Sequence, residues 1–481
     1  MSGVAVLVVV VLGLVATMLL VRRSPEPGPE PGPGPEPAPV ACEGVPLAPG
    51  QDLQAAIDAA GEGTTFCLEP GVYQGQNVTP KRDDRVIGGE GVVLSGARTL
   101  GGFQRQGDVW VVGGQTQQSE PHGECTPEAP RCSYNEDLYV DDELLRHVAS
   151  RDAVGPGRWF FDYDADTIYL GDNPAGRRVE TTVTPRAFGG GASGVVLRGF
   201  TVEKYANSTQ NGAIYPEGAH GWVIDGVTAR WNHGAGLGFT RSDHMTIERS
   251  VASENGQIGM VGDGDDNQIL DNEIAGNNTT GVDAGWEAGG AKFGDSHRLT
   301  IRGNSSHDNG GPGLWTDHDN RDVLYEGNRV VGNAGAGIFH EISYDAVIRD
   351  NVVEGNGLAD HPWCYGAGIQ ISASRNVEVT GNTLKDNARS IVGIAQPRGG
   401  DWEVVGLRVH DNVVDNGSVS DSINGICRDD PTLDVYASSA GNRFEANRYL
   451  GAGNGWTWND AELSFPEWRS AGHDRTGSYR P

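Results

Sequence analysis

The sequence predicts an all-β chain: a right-handed parallel β-helix with an N-terminal cap and an inserted antiparallel β-subdomain. Three observations predict it. A short apolar motif recurs, from Thr300-Ile301-Arg302-Gly303-Asn304 through Leu324 to Asn328, Val347 to Asn351, Glu378 to Asn382 and Arg408 to Asn412. Each Asn up to Asn382 is followed five residues later by a second: Asn309, Asn333, Asn356 and Asn387. After Asn412 the second comes one residue early, at Asn416, and upstream Asn272 and Asn277 obey the rule. Asn232 and Asn255 fill the second position of two earlier coils. Finally, Gly and an apolar residue follow the second Asn, as in Gly259-Met260, Gly313-Leu314, Gly337-Ile338 and Gly368-Ile369.

The period runs from about 22 to 31 residues, the range of solenoid coils. Each unit reads as short strands with Gly and Asn at the corners, where positive φ is needed. Stacked Asn side chains can bond coil to coil, because the amide carries two donors and an acceptor. One unit cannot bury its apolar side, whereas stacked units make a continuous core. Leucine-rich repeats have similar lengths, but their signature is missing. Handedness follows from the right-handed crossover rule.

The elements follow in order. Gly3 to Val21 is uninterruptedly apolar and long enough to span a bilayer core. Arg22 and Arg23 follow without a small-residue cleavage site, so residues 1–23 read as an uncleaved anchor. The two arginines oppose the positive-inside rule for an exported domain. Residues 24–41, rich in Pro, Glu and Gly, read as a semi-rigid linker. Residues 42–102 should form the cap and first coils. Asp52 to Gly61 reads as a short helix covering the open end, with Asp52 and Gly61 as its caps, and Thr64 to Leu68 as a strand.

Residues 103–190 break the repeat and read as the inserted subdomain. Leu138 to Leu145 is a hairpin with an acidic turn, and Trp159–Tyr163 with Thr167–Leu170 a second. Coils occupy 191–455, and a polar tail, 456–481, carries Trp456, Trp458 and Trp468. Six cysteines in an exported chain suggest disulfides. Proximity favours Cys42–Cys67 and Cys125–Cys132, leaving Cys364–Cys427. No Cys/His spacing resembles a zinc site. The net charge of −29 argues against nucleic acid and makes a polyanionic glycan awkward without a bridging cation.

Two repeat segments carry chemistry. Gly313-Leu314-Trp315-Thr316-Asp317 and Gly337-Ile338-Phe339-His340-Glu341 hold the same register, and each ends in a carboxylate. Strands of adjacent coils stack about 4.8 Å apart, so Asp317 and Glu341 should be neighbours. Alternation sends Leu314 and Thr316 inward, and Trp315, Asp317, Phe339 and Glu341 outward, joined by Lys292 and Gln370 from the flanking coils. That mixture suits a sugar: aromatic faces for C–H surfaces, carboxylates for chemistry, Lys and Gln for hydroxyls. Two insertions adjoin the pair and read as walls of a cleft. Val282 to Gly290 bears Asp283, Trp286 and Glu287, and Leu358 to Gly366 bears His361, Trp363 and Tyr365. The expected substrate-binding residues are Lys292, Trp315, Phe339, Glu287, Trp286, His340, Gln370 and Trp363. Adjacent carboxylates repel, so one pKa should rise and the other fall.

The run Gly-Leu-Trp-Thr-Asp, followed one coil later by Ile-Phe-His-Glu-Ile, resembles parallel β-helix (pectate-lyase-like) carbohydrate-active enzymes, above all glycoside hydrolases of the β-xylosidase type. The likeness is good over 311–351 and looser over 135–355, where Tyr139-Val140-Asp141 and Trp159 to Leu170 take part. It implies that Asp317 is the nucleophile and Glu341 the acid/base of a retaining hydrolase that needs no cofactor. The competing lyase or epimerase reading makes Lys292 the base and Asp317, Asp319 and Glu341 ligands of Ca2+. A third reading is a non-catalytic glycan-binding surface, with Asp263, Asp265 and Asp266 a solvated or cation-binding turn. No Gly-x-Ser-x-Gly elbow with usable partners is present. The expected partner is an oligo- or polysaccharide met by a monomer on the outer face of the cell.

Overall fold

The computed structural model describes residues 42–359, 363–430 and 440–481. The expected anchor (1–23) and linker (24–41), and His361, lie outside the described residues. The architecture is a right-handed parallel β-helix of three long sheets, of 13, 12 and 13 strands. Each regular coil beyond the insertion gives one strand to each sheet. Thr300–Arg302, Ser305–His307 and Leu314–Asp317 make one coil, and Val323–Glu326, Arg329–Val331 and Ile338–Glu341 the next. The apolar core runs unbroken along the axis, with Leu314, Ile338, Ile369 and Ile391 stacked in one inward row.

The corners divide labour between neighbouring residues. The residue before each ladder Asn takes positive φ: Asp271 at 54°, Gly303 at 70°, Gly327 at 63°, Asp350 at 57°. Gly and Asp tolerate that conformation. The Asn itself is therefore not the left-handed residue; its side chain turns inward and ladders. Asn328 Nδ2 donates to Asn351 Oδ1 and to Ile301 O, both at 2.9 Å. Its Oδ1 accepts from the amide nitrogen and from Nδ2 of Asn304, both at 3.0 Å. This ladder runs from Asn272 to Asn447 and ends on Asp474. The second runs from Asn232 to Asn387 and breaks at the early Asn416, which bonds Ser390 and Asn454 instead. Replacing Asn328 by Ala should lower unfolding free energy by roughly 3–5 kcal/mol, because it strips four bonds from buried groups. Urea denaturation measures it, and a loss below about 1 kcal/mol would show the ladder to be dispensable.

Both ends are closed. Helix Leu53–Ala59, capped by Asp52 accepting from Ala55 N, buries Leu53 and Ile57 against the first coil. Its C-cap is Ala60, one residue before the expected Gly61. The polar tail is a second cap. Asn454–Trp458 pairs with Ala461–Leu463, and helix Phe465–Ser470 buries Trp468, whose Nε1 donates to Asp474 at 2.9 Å. Composition hid this, because a few apolar residues, Trp456, Trp458, Leu463, Phe465, Trp468 and Tyr479, do the covering in a largely polar stretch.

The insertion, expected over 103–190, is made of mainly antiparallel strands lying between Ala97 and Thr182, with Arg146–His147 pairing parallel to Arg158–Asp162; Phe188–Gly190 already pairs as a coil strand. Both expected hairpins form, Val140 opposite Glu143 and Trp159 opposite Leu170. The hairpin turn uses Asp141 and Asp142 at positive φ. Lys204, fully buried, clamps the insertion to the solenoid through Glu180 Oε2 at 2.6 Å and Asp142. All three expected disulfides are present: Cys42–Cys67, Cys125–Cys132 and Cys364–Cys427.

Candidate active site

Strands Gly289–Gly294, Leu314–Asp317, Ile338–Glu341 and Ala367–Ser372 lie side by side in the 12-stranded sheet. Register places Lys292, Trp315, Phe339 and Gln370 in one row, and Gly294, Asp317, Glu341 and Ser372 in another. The two carboxylates are thus direct neighbours on adjacent coils, as the repeat required.

Their surroundings differ. Asp317 Oδ2 takes a salt bridge from Lys292 Nζ at 2.9 Å, while its Oδ1 is shielded from solvent and unpartnered. Lys292 Nζ also lies 3.5 Å from Glu287 Oε2 and 4.1 Å from the centre of the Trp315 ring. Glu341 is more deeply set, with its side chain 8% exposed, and Oε1 accepts from Arg398 Nη2 at 2.8 Å. Burial and then the Asp317 charge push Glu341 up to about 7, against the pull of Arg398 and Lys292. Glu341 therefore keeps its proton far closer to neutrality than an ordinary carboxyl does.

Several expected contacts take other roles. Trp315 and Phe339 face outward but stack on each other, 5.3 Å between centroids and 12° apart, in a small cluster with Ala336. With Lys292 over Trp315 and Phe339 below it, the indole has no free face for a sugar; it offers only its edge. His340 is corrected outright: it points into the solenoid. Its Nδ1 pairs with Thr316 Oγ1 at 2.7 Å and its Nε2 with Tyr344 O at 2.8 Å. Burial lowers it to about 4, so it is a neutral core histidine. Alternation demands this, since Phe339 and Glu341 on either side face outward.

Gln370 is buried, and its Oε1 accepts from Gly366 N at 3.0 Å, so it braces a loop rather than awaiting a hydroxyl. Trp363 stands at the exposed rim, 6.2 Å from Tyr365 in edge contact. Trp286 is half-buried, edge-on to His122 of the insertion at 5.4 Å. Glu287 is bonded by Gln210 Nε2. The loop bearing both is docked on the Cys125–Cys132 segment, through Thr126 N to Gly281 O at 3.0 Å and Asp283 N to Glu124 O at 2.9 Å.

Arg398 and Gln396 were absent from the sequence reading, and Tyr365 figured there only as a loop residue. Arg398 Nε reaches Gln396 Oε1 at 3.2 Å, and Gln396 Nε2 donates to Tyr365 OH. These residues sit in two insertions with no repeat partner to align them. The one sequence signal was the Cys364–Cys427 pairing, which ties Tyr365's loop to the coil following Arg398. Replacing both cysteines with Ala should cost about 2–4 kcal/mol, the usual worth of such a link. It should also raise KM as Tyr365 and Arg398 loosen; thermal unfolding and steady-state kinetics read the two effects. An unchanged KM would separate the disulfide from the site.

The calcium set of the lyase reading does not assemble. Asp317 is bound by Lys292, Asp319 by Arg321 at 2.8 Å and Glu341 by Arg398. Asp265 and Asp266, read as a solvated or cation-binding turn, are bridged by Arg298 at 3.0 and 2.7 Å, and Asp263 accepts from Thr240 Oγ1 at 2.6 Å. Among the described residues no group of three such side chains suits a metal ion.

The profile described as "Right handed beta helix region" matches residues 212–384. No curated protein matches the chain in sequence. Among solved structures, the chain is similar to XylC in complex with xylose, at 15% identity and TM-score 0.59 over 84% of this chain and 81% of the other. It is also similar to the A-module of the mannuronan C-5 epimerase AlgE4 from Azotobacter vinelandii, at 16% identity and TM-score 0.53 over 86% and 95%. At these identities the likeness establishes the fold.

Proposed function

We propose that the protein is an extracellular, glycan-degrading glycoside hydrolase of the retaining type, acting as a monomer, with Asp317 as nucleophile and Glu341 as acid/base. The observation that carries this reading is the unequal engagement of two neighbouring carboxyls. Asp317 is held by a lysine; Glu341 is buried and holds its proton up to about pH 7. A retaining mechanism needs such a pair close together, one ionised to attack the anomeric carbon and one protonated to release the aglycone oxygen. The glycosyl ester on Asp317 is then hydrolysed by water that Glu341, now ionised, deprotonates. The xylose complex of the structurally similar XylC supports a sugar as the substrate class. The disulfides support export.

The lyase or epimerase alternative rests on Lys292 as base, yet Lys292 is shared between Asp317 and Glu287. A panel of neutral and acidic glycans, read for reducing ends, unsaturated products and anomeric configuration by NMR, tests the proposal. New reducing ends released with retained configuration are expected. An ultraviolet-absorbing unsaturated product lost on chelation would replace the hydrolase with the lyase, and binding without turnover would leave a glycan-binding surface.

A further inference from the structure

The inserted subdomain meets the solenoid around a cavity of about 240 Å3 that shares no lining residue with the carboxylate site. Its walls include Arg131 beside the Cys125–Cys132 disulfide, Asp137, Leu145 and His147 of the insertion, and Thr280 of a coil loop. Three shielded nitrogens there have no hydrogen-bond partner in the protein: Nη1 of Arg131 and both ring nitrogens of His147. Buried polar groups are ordinarily satisfied, so two neighbouring residues left unsatisfied beside one cavity need an explanation.

Arg131 is held in place but not neutralised. Its guanidinium carbon lies 4.4 Å from the Tyr134 ring centre, 5.1 Å from Phe160 and 5.7 Å from Tyr163. Among the described residues it forms no salt bridge; Nη2 reaches only Ala149 O, at 3.4 Å. The acids nearby are taken. Asp137 pairs with His233 Nδ1 at 3.1 Å, and Glu136 accepts from Tyr163 OH at 2.9 Å and Ser119 Oγ at 3.1 Å. His147 stacks on Trp159 at 4.1 Å, and burial and then the Arg131 charge keep it neutral, with one donor and one acceptor to offer.

We propose that this cavity binds a small organic carboxylate of single-ring size, such as a free hexuronate, with its carboxylate on Arg131 and a hydroxyl on His147. A carboxylate is the planar acceptor that guanidinium binds best. The volume holds several waters at about 30 Å3 each, yet falls below the roughly 300–1,000 Å3 of pockets for larger ligands. A polymer fits neither this volume nor the overall charge. The lining residues 278–281 precede, in the same loop, the helix that carries Trp286 and Glu287. The inference is independent of the hydrolase reading.

Titration calorimetry of the full chain with sodium glucuronate, glucose, sodium chloride and polygalacturonate tests it, together with the imidazole NMR signal of His147. Saturable binding of glucuronate is expected, with none of glucose or chloride, a shift of the His147 signal, and a loss of roughly ten- to hundredfold in Arg131→Gln. The shift of His147 distinguishes this cavity from the carboxylate site, and needs no variant should Arg131→Gln fail to fold. Equal binding of glucose, an unmoved His147 signal, unchanged affinity in a folded Arg131→Gln, or binding of polygalacturonate alone would each overturn the proposal.

Discussion

Asp317→Asn should abolish glycoside cleavage, with kcat falling by about ten-thousandfold to a millionfold, the scale seen when a covalent nucleophile is removed. The substitution keeps the shape of the side chain and deletes its charge. The amide cannot attack the anomeric carbon, and Lys292 loses one of its two carboxylate partners, keeping Glu287 at 3.5 Å. The fold should survive, because Asp317 lies on the outward row and contributes nothing to the core. A second readout belongs to the same variant. The Asp317 charge is one of the forces that raise Glu341, so its loss should bring Glu341 down from about 7. In the wild type, a slowly deglycosylating substrate should leave a glycosyl ester on the peptide bearing Asp317, visible by mass spectrometry. Wild-type turnover by Asp317→Asn would sink the mechanism.

Glu341→Gln should reduce kcat on natural glycans by about 100- to 10,000-fold, the usual contribution of a general acid. Substrates whose leaving group needs no proton should recover most of the first step. In the wild type, kcat/KM should fall as pH rises through about 7, where Glu341 loses the proton it donates. The variant should lose that limb.

Stability should follow the same group. A carboxyl raised from its ordinary value to about 7 keeps its proton in the folded state while the unfolded chain releases it. Between roughly pH 4.5 and 7 the folded state binds more protons, so stability falls as pH rises across that window and levels off above it. At about 1.4 kcal/mol per pKa unit the total is about 3 kcal/mol. Chemical denaturation across this range measures it, and Glu341→Gln should flatten the curve. A wild-type profile already flat between pH 4.5 and 7 would remove the basis for calling Glu341 the acid.

Much of this was legible in the chain because a solenoid is nearly one-dimensional. A residue's neighbour is its repeat partner one coil away, so aligning Asn304 with Asn328 also aligns Asp317 with Glu341. Register and alternation followed from the period alone, and with them the direction of the carboxylates and the inward turn of Thr316. The same rule already condemned His340 as a ligand, since it lies between two outward residues.

What lay outside the repeat was decided only in three dimensions. Arg398 reaches Glu341 across 57 residues from an insertion that no period aligns. The Trp315–Phe339 stack closes faces that alternation alone left open, because outward rings on strands about 4.8 Å apart satisfy each other before any sugar arrives. The docking of the Cys125–Cys132 segment on Gly281 and Asp283 likewise joins residues with no common pattern. The sequence by itself determined the coil, its ladders and the carboxylate pair, because those are contacts at a fixed spacing. Only the tertiary structure decided which carboxyl is buried, which cations hold the two, and which aromatic faces stay free. Desolvation and ion pairing depend on loops whose positions no repeat specifies.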